Sequence, residues 1–519
     1  MANKSVFATL AGKLLPLPDV RNHEQAPAYQ LTPRQALAQL AATGTFNATF
    51  YADGEEQLAQ MLELTQHVEP DFIAKVAIHA FEAGYMKDMP AFLLALLSTL
   101  PGDAFNRAFP RIVRNGKMLR NFVQVMRSGA TGRKSLGSRP KRLVQSWLET
   151  ASDTEIMRAA VGNDPSLADV IKMVHPKPVS AARRALYGYL IGKPHDVAAL
   201  PELVQAFEAF KRDPTLPVPA VPFQMLTALE LSREHWVQIA AQAGWQMLRQ
   251  NLNTFARNGV FEVEGFAEML AGRLADAGEV RRSKVFPYQL MVSFAALDAG
   301  VPELVRNALQ DAMEIALGNV PKLAGNVVIC PDVSGSMSSP VTGYRRGSTS
   351  AVRCIDVAAL VAAAFLRRNP DAKVLPFEQD VVDVRLNPRD SVMTNAASLA
   401  SIGGGGTNCS APLRRLIETK AKVDLVVFVS DNESWVDAGP MRQRGTSMLI
   451  DWERLKGWNP GARLVCVDIQ PYATSQAVGR KDILNVGGFS DRVFDVIGSF
   501  IAQSGDDDHW VKLIEAVDL

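Results

Sequence analysis

The stretch VVICPDVSGSMSSPV, residues 327–341, ends an apolar run with a carboxylate and two hydroxyls at alternate positions: Asp332, Ser334 and Ser336. Alternation along an extended loop points the three side chains the same way. Two more oxygen-bearing stretches can share their crevice. GGGGTN places Thr407 after four glycines, which let the backbone approach closely. DLVVFVSD places Asp431 at the end of another apolar run. Two carboxylates and three hydroxyls, with no imidazole or thiolate, suit a hard cation, Mg2+ or Mn2+. Water or a partner's carboxylate would complete its shell. The alternative is that Ser334 and Ser336 cap the next helix while Asp332 closes a turn. DxSxS alone is short and recurs by chance. Its place at a strand end, with a distant Gly-Thr and a second strand-ending Asp, favours the metal.

A second stretch carries a different chemistry. From Ala104 to Leu148 there is no acid, and these 45 residues hold eleven cations. They are Arg107, Arg111, Arg114, Lys117, Arg120, Arg127, Arg133, Lys134, Arg139, Lys141 and Arg142. A solvated helix face normally mixes signs, because like charges at helical spacing repel. An unmixed cluster suits a polyanion, whose binding releases counterions. Glycine and serine amides in GATGRKSLGSRPKR suit phosphates. The alternative is that acids from other helices neutralise the belt. His175 and Lys177 in MVHPKPVS, and Arg249, Asn251, Asn253, Arg257 and Asn258 in RQNLNTFARNGV, offer further groups for base edges and phosphates. Capping and helix–helix hydrogen bonding are the bland reading of the same residues.

These groups need elements to position them. From Leu31 to about Leu323 apolar residues recur three and four apart, the helical period. Thr32-Pro33 reads as a cap followed by proline at the first helical position. Helices of this length with short connections suggest an α-solenoid of HEAT type, or else an irregular all-α domain. After VPKLAGN the pattern becomes apolar strands alternating with helices. NVVICPD, DLVVFVSD and ARLVCVDI read as strands, and AKVLPFE with VVDVRL as a strand pair. That alternation implies a parallel, doubly wound α/β sheet covered on both faces. Ligands bind such sheets beyond the carboxyl ends of the strands, where Asp332 and Asp431 fall. The expected division is an all-α module over 1–322, an α/β domain over 323–505 and a tail over 506–519.

Composition excludes rather than selects. The 519 residues are too many for one core. A net charge of +1 announces no polyanionic or membrane partner in bulk. Lys13 interrupts the first apolar stretch, which argues against a signal peptide, and no window approaches ~18 apolar residues, so no membrane span is expected. Cys330, Cys354, Cys409 and Cys466 are far apart and form no CxxC. Free thiols in a reducing cytoplasm are the simplest reading.

DVSGSMSS, GGGGTNCSAPL and VFVSDNE together resemble the metal-ion-dependent adhesion site of a von Willebrand factor A domain, a Rossmann-like fold. GGTNCSAP followed by VVFVSDNESW resembles the A domain of the Ro ribonucleoprotein autoantigen family. HPKP, LRQNLNTFARNGV, FPYQLMVSFAAL and the acid-free basic region are similar to the TROVE module of Ro proteins, so the resemblance covers roughly residues 20–505. It implies a multidomain chain of the bacterial Ro type: a ring of HEAT-like helical repeats closed by the A domain. It implies metal contacts, most simply to Mg2+, from Asp332, Ser334, Ser336, Thr407 and Asp431. It implies binding of small noncoding Y RNAs on an outer basic surface, and of single-stranded 3′ ends of misfolded RNAs in a central hole. Bacterial relatives associate through Y RNA with the exoribonuclease polynucleotide phosphorylase. Arg158 falls where the family places a basic residue needed for Y RNA binding. The second such position falls at Gly162, which carries no side chain. His175 falls at a position implicated in RNA contact.

The expected function is therefore an RNA-binding scaffold, a cytoplasmic monomer without catalysis. There is no Ser-His-Asp set, no Walker A loop and no paired carboxylates beside a base. The expected RNA contacts are Arg111, Arg114, Lys117, Arg120, Arg127, Arg133, Lys134, Arg139, Lys141, Arg142, Arg158, His175, Lys177, Arg249, Asn253 and Arg257. The alternative from another class is a metal-dependent adaptor for a AAA+ ATPase. An extracellular adhesin is disfavoured by the absent signal peptide and disulfide pattern.

Overall fold

The computed structural model describes residues 15–44, 46–49, 51–285, 287–318, 320–323, 325–344, 352–431, 433–434, 445–470, 472–488, 492–502 and 508–519. The chain enters as two short antiparallel strands, β1 (Val20–Arg21) and β2 (Pro27–Gln30). Helices then follow one another from Pro33 to Ala316. Local chemistry sets their starts. The Thr32 hydroxyl accepts from the Gln35 amide, and the Gln35 side chain accepts from the Thr32 amide at 3.0 Å. The same reciprocal cap opens the helices Gly54–Gln66, Asp153–Ala159 and Leu167–Val174. Each such cap contributes about 1 kcal/mol by satisfying amides that no helix turn can reach. Tertiary packing then holds the helices. Pro70–Glu82 packs on Asp88–Leu97 and Ala104–Ile112. Phe105, Phe109 and Phe122 interlock edge to face and stacked at 5.4–5.9 Å between centroids. Burying each such ring stabilises the fold by roughly 1.5–3 kcal/mol.

The α/β domain follows. Strands β3 (Val327–Pro331), β4 (Lys373–Val374), β5 (Leu425–Ser430), β6 (Arg463–Asp468) and, after the two-residue β7 (Thr474–Ser475), β8 (Ile483–Gly487) make one parallel sheet, ordered β4-β3-β5-β6-β8. Every residue of β3 and β5 is buried, as a sheet covered on both faces requires. The expected strand pair is corrected. VVDVRL meets its neighbour only through the isolated bridge between Phe377 and Val381. The sequence reading also missed β8, whose ILNVG is short and ends in glycine.

Two segments cross the division drawn at 322–323. β2 pairs antiparallel with β7, so the N-terminal strands lie on the α/β domain rather than on the helices. The tail docks too. Helix His509–Glu515 rests against the helices Pro33–Thr43 and Pro70–Glu82 and against β8. Lys75 Nζ donates to the Glu515 carbonyl at 2.5 Å, Arg34 pairs with the Glu515 carboxylate, and Trp510 meets the edge of His79 at 5.0 Å. At the far end of the helical chain, Pro287–Ala295 packs on Cys354–Arg368, and Glu303–Ala316 on Val392–Ala400. The helical chain therefore meets the α/β domain at both its ends. Among the described residues no helix is long and apolar enough to cross a membrane.

Candidate metal centre and nucleic-acid interface

All five oxygen donors meet at the carboxyl ends of β3 and β5, and all are buried. Asp332 extends β3, its amide donating to the Val429 carbonyl at 3.0 Å. Its Oδ1 accepts from the Ser334 amide at 2.9 Å and its Oδ2 from the Ser430 hydroxyl at 2.5 Å. The Ser334 and Ser336 hydroxyls are 3.2 Å apart, and Thr407 Oγ1 donates to Ser334 Oγ at 2.9 Å. The glycine run makes this approach possible. Gly405 has φ +61°, its carbonyl takes the Gly335 amide at 3.0 Å, and a Cβ there would lie 2.5 Å from the Glu378 carboxylate.

Charge in this crevice is unbalanced. Burial pushes the Asp332 carboxyl up against the pull of its serine donors. Burial, then the neighbouring Asp332 charge, pushes Asp431 up. Two carboxylates sharing a buried site cannot both ionise without a compensating cation. A divalent ion would supply that charge, and five hard oxygens at one point suit Mg2+. The residues thus fit the ion that their pattern implies. The sequence reading missed a third strand-end acid. Asp468 closes β6 in the motif VCVD, is buried, and is pushed well up by burial and then by Asp431 and Glu433.

The basic belt divides in two. Part of it is spent on the protein itself. Arg107 pairs with Asp71 at 2.8 Å. Arg111 and Arg114 both pair with Glu82 at 2.6 Å. Arg139 donates to the carbonyls of Leu97, Ser98, Leu100 and Gly102, closing the end of a neighbouring helix. For these residues the acids and carbonyls of other helices do what the bland alternative foresaw. Lys117, Arg127, Arg133, Lys134 and Arg142 are exposed, Lys141 is half-buried, and none has a carboxylate within ion-pair distance among the described residues. Arg158, His175 and Lys177 are exposed on the adjoining helices and loop. Gln145 fixes that loop by donating to the Val174 and His175 carbonyls at 2.6 and 3.3 Å. Lys172, exposed one turn before His175, is a cation that the sequence reading passed over because it sits singly in an apolar helix.

The last stretch is corrected. Arg249 is buried, not on an open face. Its guanidinium donates to the Gln289 carbonyl at 3.0 Å, to Ser293 Oγ and to Gln246 Oε1. Asn253 spends both ends of its amide on Ala296 and Asp298. Arg257 remains exposed, its Nε on the Asn253 carbonyl.

Comparison with known proteins bears on the fold that holds these groups. Residues 326–501 match the family model described as the Ro60 vWA domain. The RNA-binding protein RO60 of Deinococcus radiodurans is 25% identical over 522 residues, covering 93% of this chain and 95% of its own. Over nearly its whole length the chain is thus similar to a Ro protein, and residues 326–501 match that family's A domain. Its overall architecture matches the crystal structure of the Deinococcus radiodurans RO (RSR) protein, with TM-score 0.60 and 22% identity over 90% of this chain and 99% of that one. The Caenorhabditis elegans RNA-binding protein RO60 is 22% identical over 245 residues, 44% of this chain and 36% of its own. A helical module followed by an A domain with a parallel central sheet is thus the arrangement that this chain shares with the solved structure.

Proposed function

We propose that this protein is the RNA-binding scaffold of a Ro ribonucleoprotein, without catalysis of its own. It binds a small noncoding Y RNA on the exposed basic surface of the helical module. It takes single-stranded 3′ ends of misfolded RNAs within the helical array, and it presents them to an exoribonuclease such as polynucleotide phosphorylase. Two relatives that it resembles carry RNA binding in their names.

The observation that carries the reading is the residual charge. Once the cations paired with Asp71, Glu82 and helix-end carbonyls are set aside, Lys117, Arg120, Arg127, Arg133, Lys134, Lys141 and Arg142 remain. They lie on the helices Gly116–Ser128 and Ser138–Thr150 and on the loop between them. A protein does not gain stability from unpaired like charges in one place, whereas phosphates relieve the repulsion and release counterions. Binding of a structured RNA by the purified chain, measured as Kd against salt, tests this. A steep loss with salt that flattens when these residues are reversed is the expected result. In the A domain, Asp332, Ser334, Ser336, Thr407 and Asp431 would hold Mg2+, which supplies the charge that lets both carboxylates ionise.

A further inference from the structure

An adhesion-type site leaves one side of its metal open, so the residues facing that side decide what the ion engages. Here they come from the start of the chain. Asn22 Nδ2 donates to the Ser434 carbonyl at 2.7 Å. The His23 amide donates to Glu433 Oε2 at 2.8 Å, and its ring Nδ1 lies 3.3 Å from Glu433 Oε1. Residues 22–23 thus pin the loop that carries Asp431. Residues 47–49 hold the other flank. Asn47 Nδ2 donates to the Thr342 carbonyl at 2.7 Å, Ala48 bridges Tyr344, and Tyr472 Oη donates to Thr49 Oγ1 at 3.2 Å. Between the two flanks, the rings of His23, Tyr51 and Tyr472 pack at 4.7–5.7 Å. Tyr51 lies near enough to Ser336, one of the five donors, to interact with it electrostatically. It also donates to Glu24 Oε1 at 2.8 Å.

We propose that the open side of this metal centre is closed from within: Tyr51 and the Glu24 carboxylate behind it occupy the position that a partner's carboxylate would take. The inference rests on the metal reading above. A carboxylate held one phenolic oxygen away from a donor hydroxyl is placed to act as an outer, supporting group for a divalent ion, and it belongs to the same chain. The position of Glu24 is fixed by the turn of residues 22–26, in which Asn22 Oδ1 accepts the Ala26 amide at 2.8 Å. It follows that the ion fastens the N-terminal strands, and with them the entry to the helical module, onto the A domain. A free partner would have to displace Tyr51 and Glu24 to reach it.

The test uses the full chain, stripped with chelator and titrated with Mg2+ by calorimetry, beside Glu24→Gln, Tyr51→Phe and Asp431→Asn. Hydrogen exchange of the backbone at residues 22–26 is followed with and without Mg2+. The wild type is expected to bind one ion. Glu24→Gln and Tyr51→Phe should bind it about tenfold more weakly, as loss of a supporting or outer ligand does. Mg2+ should slow exchange at 22–26 in the wild type and not in Glu24→Gln. Added acetate should restore Mg2+ affinity to Glu24→Gln while leaving the wild type unchanged. Unaltered affinity and exchange in both variants, with binding lost only in Asp431→Asn, would overturn the internal ligand and leave the metal centre standing. A wild type that binds no Mg2+ would overturn the metal reading itself, and this inference with it.

Discussion

The guanidinium of Arg120 fills the space in front of Gly162. A Cβ on Gly162 would lie 2.5 Å from Arg120 Nη1 and 2.8 Å from Nη2. Gly162 stands where the Ro resemblance expects a basic side chain, and a cation from another helix reaches the same spot. Burial holds the Arg120 guanidinium below its usual range, and among the described residues its one protein acceptor is the distant Asn163 carbonyl at 3.4 Å. A phosphate there would meet donors that the protein itself leaves poorly used.

The first prediction follows from that pair. Arg120→Gln should weaken binding of a small structured RNA by about three- to tenfold at low salt and reduce the salt slope by about one. Gly162→Ala should weaken it as well, because the new Cβ displaces the guanidinium and φ +107° strains any side chain. Filter binding across a salt series checks both; equal affinity in Arg120→Gln would remove Arg120 from the interface.

Arg249 should behave oppositely. Arg249→Ala leaves the Gln289 carbonyl and the Gln246 amide oxygen without their buried donor, and should destabilise the fold by roughly 2–4 kcal/mol. RNA affinity per folded molecule should be unchanged. Thermal melts beside active-site-counted RNA titrations separate the two effects.

Metal removal gives a third prediction. Millimolar Mg2+ should raise the melting temperature of the chelator-treated chain by several degrees, since an ion that binds only the folded state stabilises it by mass action. Asp431→Asn should abolish the shift while melting, without Mg2+, at or above the wild type, because one of two buried like charges is gone. A Mg2+ shift that persists in Asp431→Asn would place the ion elsewhere.

His79 sets the response to acid. Burial pushes its imidazole down to about 4, and its ring supports Trp510 of the docked C-terminal helix. The folded chain binds this proton less readily than the unfolded chain does. The stability contributed by the neutral ring is complete above about 6.5 and is lost as pH falls from there toward 4, by roughly 3 kcal/mol in all. His79→Phe keeps the ring packing and should flatten that part of the stability profile. Parallel melting curves for the two proteins between pH 7 and 5 would contradict the assignment.

What could be read from the sequence tracks how local each signal is. Asp332, Ser334, Ser336 and Asp431 all lie at the ends of apolar strands, so strand direction alone brought them together. The belt was visible as composition, but its use was not. Arg111 and Arg139 differ from Lys134 only in which neighbouring helix they face, and no local pattern records that. Arg249 misled for the same reason: its acceptors at 289 and 293 lie on another helix. Residues 20–30 and 509–515 were too short to carry a period, and their partners are hundreds of residues away.

The most direct test of the central claim is the RNA that copurifies with the chain at low salt. Absorbance ratio and sequencing of that RNA are compared between the wild type and the triple reversal Lys134→Glu, Lys141→Glu, Arg142→Glu. Discrete small structured RNAs on the wild type and none on the variant are the predicted result. A wild type free of nucleic acid, or the same RNA on both proteins, would contradict it and bring the ATPase-adaptor reading forward.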